Sequence, residues 1–254
     1  MRLLRACYRL IFGCCLTILY FSTLGVWRRF ASDPMAWRNQ MVKRWGKVMC
    51  RIAKCNVTLE GVPPEAPFVL VCNHLSYVDI PILLAYVDAV PIAKKEIRSW
   101  PIIGFICAGV DVIFVDRTRR RDVVRVNDAI AEQVNDRQGL LFFPEGRISD
   151  GTGVLPFKPS LLAFPASQKM PVYYASLTYS TPPGEPLARD VVCWWHSDQP
   201  LMRHILQLLH LPGFQARLSF GPCAIVNEDR KELASVLWQK VTEQYVPVDS
   251  EDNL

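Results

Sequence analysis

From Leu10 to Trp27 the chain runs eighteen residues without a charge. As a helix that run reaches about 27 Å, just short of the hydrocarbon thickness of a bilayer. Arg2, Arg5 and Arg9 precede it; Arg28, Arg29, Arg38, Lys43, Arg44 and Lys47 follow. Bases on both flanks admit a spanning helix with its C-terminal side in the cytosol, or a re-entrant or interfacial helix. A cleaved signal peptide fits worse, because no A-x-A-like site ends the run and Arg28-Arg29 stand where cleavage would fall. Just beyond, Trp37, Met41, Trp45, Val48 and Ile52 share one face of a helix, with Arg38, Lys43, Arg44, Lys47 and Arg51 on the others. That spacing predicts a basic amphipathic helix over 35–54, either packed on the core or lying in the membrane interface.

Charge divides in the same place. Residues 1–54 hold eleven Lys or Arg and a single acid, Asp33, whereas residues 55–254 hold eighteen bases against twenty-three acids. The excess bases flank an apolar stretch and no nucleic-acid motif, so the expected partner is a bilayer with anionic lipid, not nucleic acid. Half the residues are hydrophobic and 21% are charged, which excludes a disordered chain and a polytopic transporter. Nine cysteines without a C-x-x-C pair suggest neither a disulfide framework nor a zinc site, and no metal is expected. They read as reduced thiols facing the cytosol.

After Cys55 short β-branched and aromatic runs alternate with helical patterns. Strands are expected at Val57–Glu60, Phe68–Val71, Pro91–Ala93, Val112–Val115, Leu140–Phe143, Val172–Thr178, Val191–Trp195 and Ala216–Phe220. Helices are expected at Ile80–Val87, Arg121–Val134, Ser160–Gln168, Pro200–Leu209 and Asp229–Tyr245. This is an α/β pattern: a single mixed sheet flanked by helices, preceded by an N-terminal membrane-associated segment, with chemistry at loops leaving strand ends. The expected division is 1–54 for the membrane helices, 55–246 for the catalytic domain and 247–254 for a tail.

Two clusters could carry chemistry. His74 follows an apolar strand and stands five residues before Asp79, about 140° away on a helix, so the two meet only if the chain turns between them. Pro81 supports that turn by suiting the first turn of a helix begun near Asp79. The carboxylate could then hold the Nδ1 proton of the imidazole and leave Nε2 to accept one from an alcohol; the alternative is a capping Asp79 beside a gap-filling His74. In the second cluster, Phe143-Pro144-Glu145-Gly146-Arg147, a strand enters a glycine-bounded loop where a guanidinium could grip a phosphate or carboxylate. The alternative there is a surface Glu145–Arg147 pair. Arg117 ends a third strand, ahead of Arg119, Arg120 and Arg121. Cys72 or Ser76 could instead be an acylated nucleophile, although no G-x-S-x-G elbow is present.

Asn73-His74-x4-Asp79, Lys94-Lys95-Glu96-Ile97 with Pro101 and Gly104, Phe114-Val115-Asp116-Arg117, Phe143-Pro144-Glu145-Gly146 and Leu155-Pro156-Phe157-Lys158 follow one another in order. Together they resemble the motifs of the 1-acyl-glycerol-3-phosphate acyltransferase family. The resemblance implies acyl transfer from a thioester, acyl-CoA or acyl carrier protein, to the hydroxyl of a lysolipid, without a cofactor. It makes His74 the base and Asp79 its orienting partner, with Asn73, Arg117, Glu145, Gly146, Arg147 and Lys158 around the acceptor. Arg147-Ile148 stands where the family often has Thr-Arg. The stretch Ser149-Asp150-Gly151 and the later Trp195 through His204 look more like a branch that includes lyso-ornithine lipid acyltransferases.

Overall fold

The computed structural model describes residues 2–100, 103–116, 129–195 and 199–249. Seven strands form one sheet: β1 (Cys55–Glu60), β2 (Val69–Cys72), β3 (Ala89–Lys94), β4 (Ile113–Val115), β5 (Gly139–Phe142), β6 (Val172–Ser180) and β7 (Phe214–Phe220). Their order across the sheet is β1-β7-β6-β2-β5-β3-β4. All neighbours run parallel except β6 and β7. The central strands β2 and β5 are buried along their whole length, as strands covered on both faces must be, which explains their unbroken apolar sequence. Since β2, β3, β5 and β6 point the same way, their C-terminal ends and the loops that leave them share one edge.

The helices are α1 (Arg2–Trp27), α2 (Pro34–Ala53), α3 (Asp79–Leu84), α4 (Ile103–Gly109), α5 (Ala163–Ser167), α6 (Ala188–Val191), α7 (Leu201–His210) and α8 (Arg230–Gln244), with a 3-10 turn at Lys95–Ser99. Residues 129–133 are also helical, and the rest of the helix expected over Arg121–Val134 lies outside the described residues, except Val134, which follows it as coil. The expected mixed sheet flanked by helices is the fold observed. One element differs. Val191–Trp195 is not a strand: α6 ends at Val191 and the following residues leave it as a loop. The Asp249 carboxylate accepts from Ala188 N and Arg189 N at 2.9 and 3.0 Å, and Trp194 N donates to Leu75 O. The backbone is thus satisfied away from any ladder, while Val192 and Cys193 are buried as a strand's residues would be.

The apolar N-terminal run is one helix of 26 residues, long and apolar enough to cross a membrane. In the fold it packs sideways. Phe21 meets Trp45 of α2 and Phe105 of α4 edge-on at 5.3 and 6.3 Å, and Trp45 Nε1 donates to Thr17 Oγ1 at 3.1 Å. Arg9 donates to Ile52 O, Leu209 O and Leu211 O, so one guanidinium meets the carbonyl ends of α2 and α7, where the helix dipole favours a cation. The opposite face, with Leu4, Tyr8, Ile11 and Leu19, is exposed.

Asp33 caps α2 by accepting from Ala36 N, and Pro34 opens it. The stripe Trp37, Met41 and Trp45 packs on the core. Arg38, expected among the outward bases, is instead 1% exposed. It bonds Asn39, Gln138, Ala89 O and Val110 O and pairs with Asp111 at 3.6 Å. Burial pulls its guanidinium down to about 10, and Asp111 opposes that pull. Further along α2, a Cβ on Gly46 would stand 2.5 Å from Pro81 O and 2.9 Å from Ala85 N, so the backbones of α2 and α3 touch there. Gly46→Val is therefore expected to lower the thermal midpoint by about 5 °C, the usual effect of overpacking a close contact in a chain of this size. Differential scanning of the detergent-solubilised protein measures it.

Candidate active site

Strand β2 ends because a side chain replaces the backbone in its ladder. Asn73 Nδ2 donates to Leu177 O and Asn73 Oδ1 accepts from Leu177 N, both at 2.8 Å. Freed from the sheet, the chain turns over residues 74–78 and starts α3 at Asp79. The Asp79 carboxylate closes that turn: Oδ2 accepts from Leu75 N at 2.8 Å and Ser76 N at 3.0 Å and lies 2.7 Å from His74 Nδ1. The five-residue gap is thus bridged by a loop, and His74 and Asp79 meet. Asp79 is fully buried, whereas His74 keeps 20% of its side chain exposed. Phe143 stacks on the imidazole at 4.0 Å and 13°. Nδ1 is tied to the carboxylate, so Nε2 is the ring nitrogen left to exchange a proton with another group.

A second buried carboxylate fixes the neighbouring loop. Glu145 Oε1 accepts from His74 N at 2.6 Å and Oε2 from Leu155 N at 3.0 Å. Ser149 N donates to His74 O and Lys158 N to Pro144 O, each at 2.9 Å, and Gly146, at φ +75°, supplies the left-handed bend that brings the loop back. Burial pushes the Glu145 carboxyl up to about 8, against the pull of its two N–H donors. Asn73 and Glu145 hold backbone and are not among the residues lining the cavity beside His74. Gly146, Arg147, Lys158 and His74 do line it. Arg147 and Lys158 are exposed on its wall. Arg117 lies outside the described residues.

The cavity is large, about 1640 Å³, and mostly apolar. It runs from His74 and Arg147 to Gly13 and Thr17 of α1 and Met49 of α2. Lys94, at the end of β3, lines the cavity too. It belongs to the Lys94-Lys95-Glu96-Ile97 motif, but nothing in that charged run distinguishes it from Lys95 and Glu96 as a residue facing a ligand. Ser149 Oγ, on the same wall, is buried without a hydrogen-bond partner. Cys72 is fully buried with its thiol pushed well up by burial, and Ser76 is fully buried, so neither reaches a substrate from this geometry. His204 is packed inside: Tyr77 Oη donates to its Nδ1 and its Nε2 donates to Cys193 O, both at 3.1 Å, and burial lowers it to about 4.

A carboxylate-locked imidazole opening on a largely apolar cavity with cations on its wall is an arrangement able to move a proton beside an apolar, anionic ligand. The family model for acyltransferases matches residues 54–178. The chain is 31% identical to the 1-acyl-sn-glycerol-3-phosphate acyltransferase of Neisseria meningitidis serogroup B, over 85% of this chain and 83% of that one. It is 27% identical to the lyso-ornithine lipid O-acyltransferase of Rhizobium meliloti, over 80% of this chain and 74% of the other. Among solved structures it resembles the 1-acyl-sn-glycerophosphate (LPA) acyltransferase PlsC of Thermotoga maritima, with a TM-score of 0.70 at 20% identity over 98% and 100% of the two chains. The chain belongs to the acyltransferase family and is an acyltransferase.

The Glu145 carboxyl makes stability depend on pH. Held up at about 8 from an ordinary 4.5, it binds its proton more tightly in the fold than in the unfolded chain. Its stabilisation is complete below about 4.5 and is lost as pH rises through about 8. The thermal midpoint is expected to fall from pH 5 to pH 8 in the wild type and to stay flatter in Glu145→Gln. Parallel curves would show that this carboxyl does not titrate as its burial dictates.

Proposed function

We propose that the enzyme moves a fatty acyl chain from a thioester, acyl-CoA or acyl carrier protein, to the free hydroxyl of a lysolipid, with 1-acyl-glycerol-3-phosphate as acceptor and phosphatidic acid as product. The observation that carries this is His74: Nδ1 bound to Asp79 at 2.7 Å, with the ring on the wall of a largely apolar cavity. As the acceptor hydroxyl attacks the thioester carbonyl, Nε2 takes its proton and Asp79 stabilises the imidazolium. The new C–O bond forms, the C–S bond breaks, and the proton passes to the departing thiolate to give a free thiol. No step needs an acyl-enzyme, a metal or a cofactor, since the proton and the developing oxyanion are the only charges to be managed. The apolar cavity suits an acyl chain. Asn73 and Glu145 act by framing the His74 loop, and Gly146 by bending the loop that carries Arg147.

Lys94, Arg147 and Lys158 bring three cations to one cavity, which suits a phosphomonoester better than a zwitterionic head group. The second reading, a lyso-ornithine lipid or other lysophospholipid as acceptor, is favoured by the likeness to the Rhizobium enzyme and by Arg147 standing one place before the family's usual arginine. Residues 1–54 attach the enzyme to the membrane through the outward apolar face of α1, with the catalytic domain, 55–246, on the cytosolic side. The tail from 247 is partly docked: Val248 N donates to Gly151 O.

His74→Ala is expected to lose at least a thousandfold in turnover and Asp79→Asn about as much, in protein that still sediments with membranes. Turnover is read with purified enzyme, acyl-CoA and acyl carrier protein donors, and a panel of lysophosphatidate, neutral lysophospholipids and lyso-ornithine lipid. Arg147→Ala should raise KM for lysophosphatidate about tenfold and leave a neutral acceptor nearly unchanged. A wild-type preference for lyso-ornithine lipid would select the second reading. For the donor, a Cβ at Gly13 would find Ile52 at an ordinary 3.6 Å, so Gly13→Leu is tolerated by the helix and narrows the cavity. Its products should shift toward shorter acyl chains, measured by mass spectrometry with a mixed-chain donor pool.

A further inference from the structure

Tyr179 stands near the end of β6, two residues past the Leu177 backbone that anchors Asn73, so its side chain leaves the same face of the strand. It is 1% exposed. Its ring meets Phe214 of β7 edge-on at 5.9 Å, and its hydroxyl donates to Asp79 Oδ1 at 2.6 Å. The other contacts of Asp79 come from its own loop and converge on Oδ2. Among the described residues, Tyr179 is therefore the donor that reaches this carboxylate from the sheet, and Asp79 has no Lys or Arg partner. Packing alone does not call for the hydroxyl, because phenylalanine would make the same contact with Phe214. Burial and the neighbouring Asp79 charge hold the phenol well above its ordinary 10, so it remains a donor at any working pH.

An O–H to a carboxylate at 2.6 Å is a charge-assisted bond. It fixes the rotation of the carboxylate, so that Oδ2 faces Nδ1, and it draws charge away from the oxygen pair that holds the imidazolium. We infer that Tyr179 is a positioning residue for acyl transfer, acting through Asp79 to orient His74 and to set how readily that imidazole takes the acceptor's proton. The inference rests on the reading of His74 as the base. Other titratable groups facing the pair are Cys72 on β2, Glu145 after β5, Cys193 after α6, and Arg147 and Lys158 on the cavity wall, while Cys55 on β1 faces Tyr179.

The experiment compares full-length wild type, Tyr179→Phe, Asp79→Asn, the double variant and His74→Ala in detergent. Tyr179→Phe is expected to lower kcat about tenfold with KM for donor and acceptor within about twofold. The acidic limb of its kcat/KM profile should move to higher pH by about half a unit, because a carboxylate without this donor holds the imidazolium more strongly. In the Asp79→Asn background the same change should add no further loss. An unchanged kcat and an unmoved limb in folded Tyr179→Phe would overturn the inference and make the hydroxyl a packing feature. Should that variant fail to fold, 3-fluorotyrosine at 179, a stronger donor of nearly the same shape, is expected to move the limb to lower pH, and an unmoved limb there would equally overturn it. Activity in His74→Ala would instead overturn the acyl-transfer mechanism itself, whatever Tyr179→Phe does.

Discussion

A carboxylate with no exposure and no arginine or lysine beside it carries a desolvation cost of several kcal/mol unless donors replace its water. Among the described residues Asp79 is such a group, and the architecture around it is the set of donors it requires. Two backbone N–H groups and an imidazole come from residues 74–76, which turn because Asn73 has stitched the end of β2 to Leu177. The fourth donor, Tyr179, is placed by the same stitch, two residues further along β6. From behind, α3 is held by the backbone contact with α2 at Gly46. Sheet register, the turn and the seating of the N-terminal helices therefore converge on one oxygen pair, and a shift in any of them leaves a buried charge short of partners.

The two acids of the site do structural work while its bases remain open. Asp79 and Glu145 bind backbone N–H groups and hold, between them, both ends of the His74 loop. Arg147, Lys158 and Lys94 stand on the cavity wall. The groups that shape the loops are thus buried acids, and the charge available to a ligand is accessible and positive. An anionic head group meets this arrangement without competing for Asp79, which lies behind the imidazole.

Features that are local in sequence were legible there: the apolar runs of β2 and β5, the amphipathic stripe of α2, and the turn implied by His74, Asp79 and Pro81. Features that depend on partners far along the chain were not. Asn73 and Glu145 belong to the motifs, but their partners, Leu177 and Leu155, are fixed only by strand order and loop return. Arg38 reads as one more outward base because nothing local says that Ala89, Val110 and Asp111 will gather around it. Val191–Trp195 has the β-branched and aromatic content of a strand, and burial of Val192 and Cys193 satisfies that content equally well in a loop. Tyr179 lies one residue past the expected strand Val172–Thr178, in the stretch by which β6 continues to Ser180, and even there periodicity reports which face it leaves and not what its hydroxyl meets. Arg117 lies outside the described residues.

One helix separates an exposed apolar face of the molecule from its cavity. Inward, α1 offers Leu10, Gly13, Cys14 and Thr17 to the cavity; outward, Tyr8, Ile11 and Leu19 are exposed. A helix this apolar could cross a bilayer, yet standing upright away from the domain it would give up the Arg9 bonds to the ends of α2 and α7 and the contacts of Phe21. Lying on the domain, it keeps them and still presents an apolar face to the membrane with which the chain associates. The wall is then about one helix diameter thick, roughly 10 Å. On the proposed reading, in which the outer face of α1 meets the bilayer and the cavity takes the acyl chain, the segment that binds the membrane also bounds the space in which the chain is transferred.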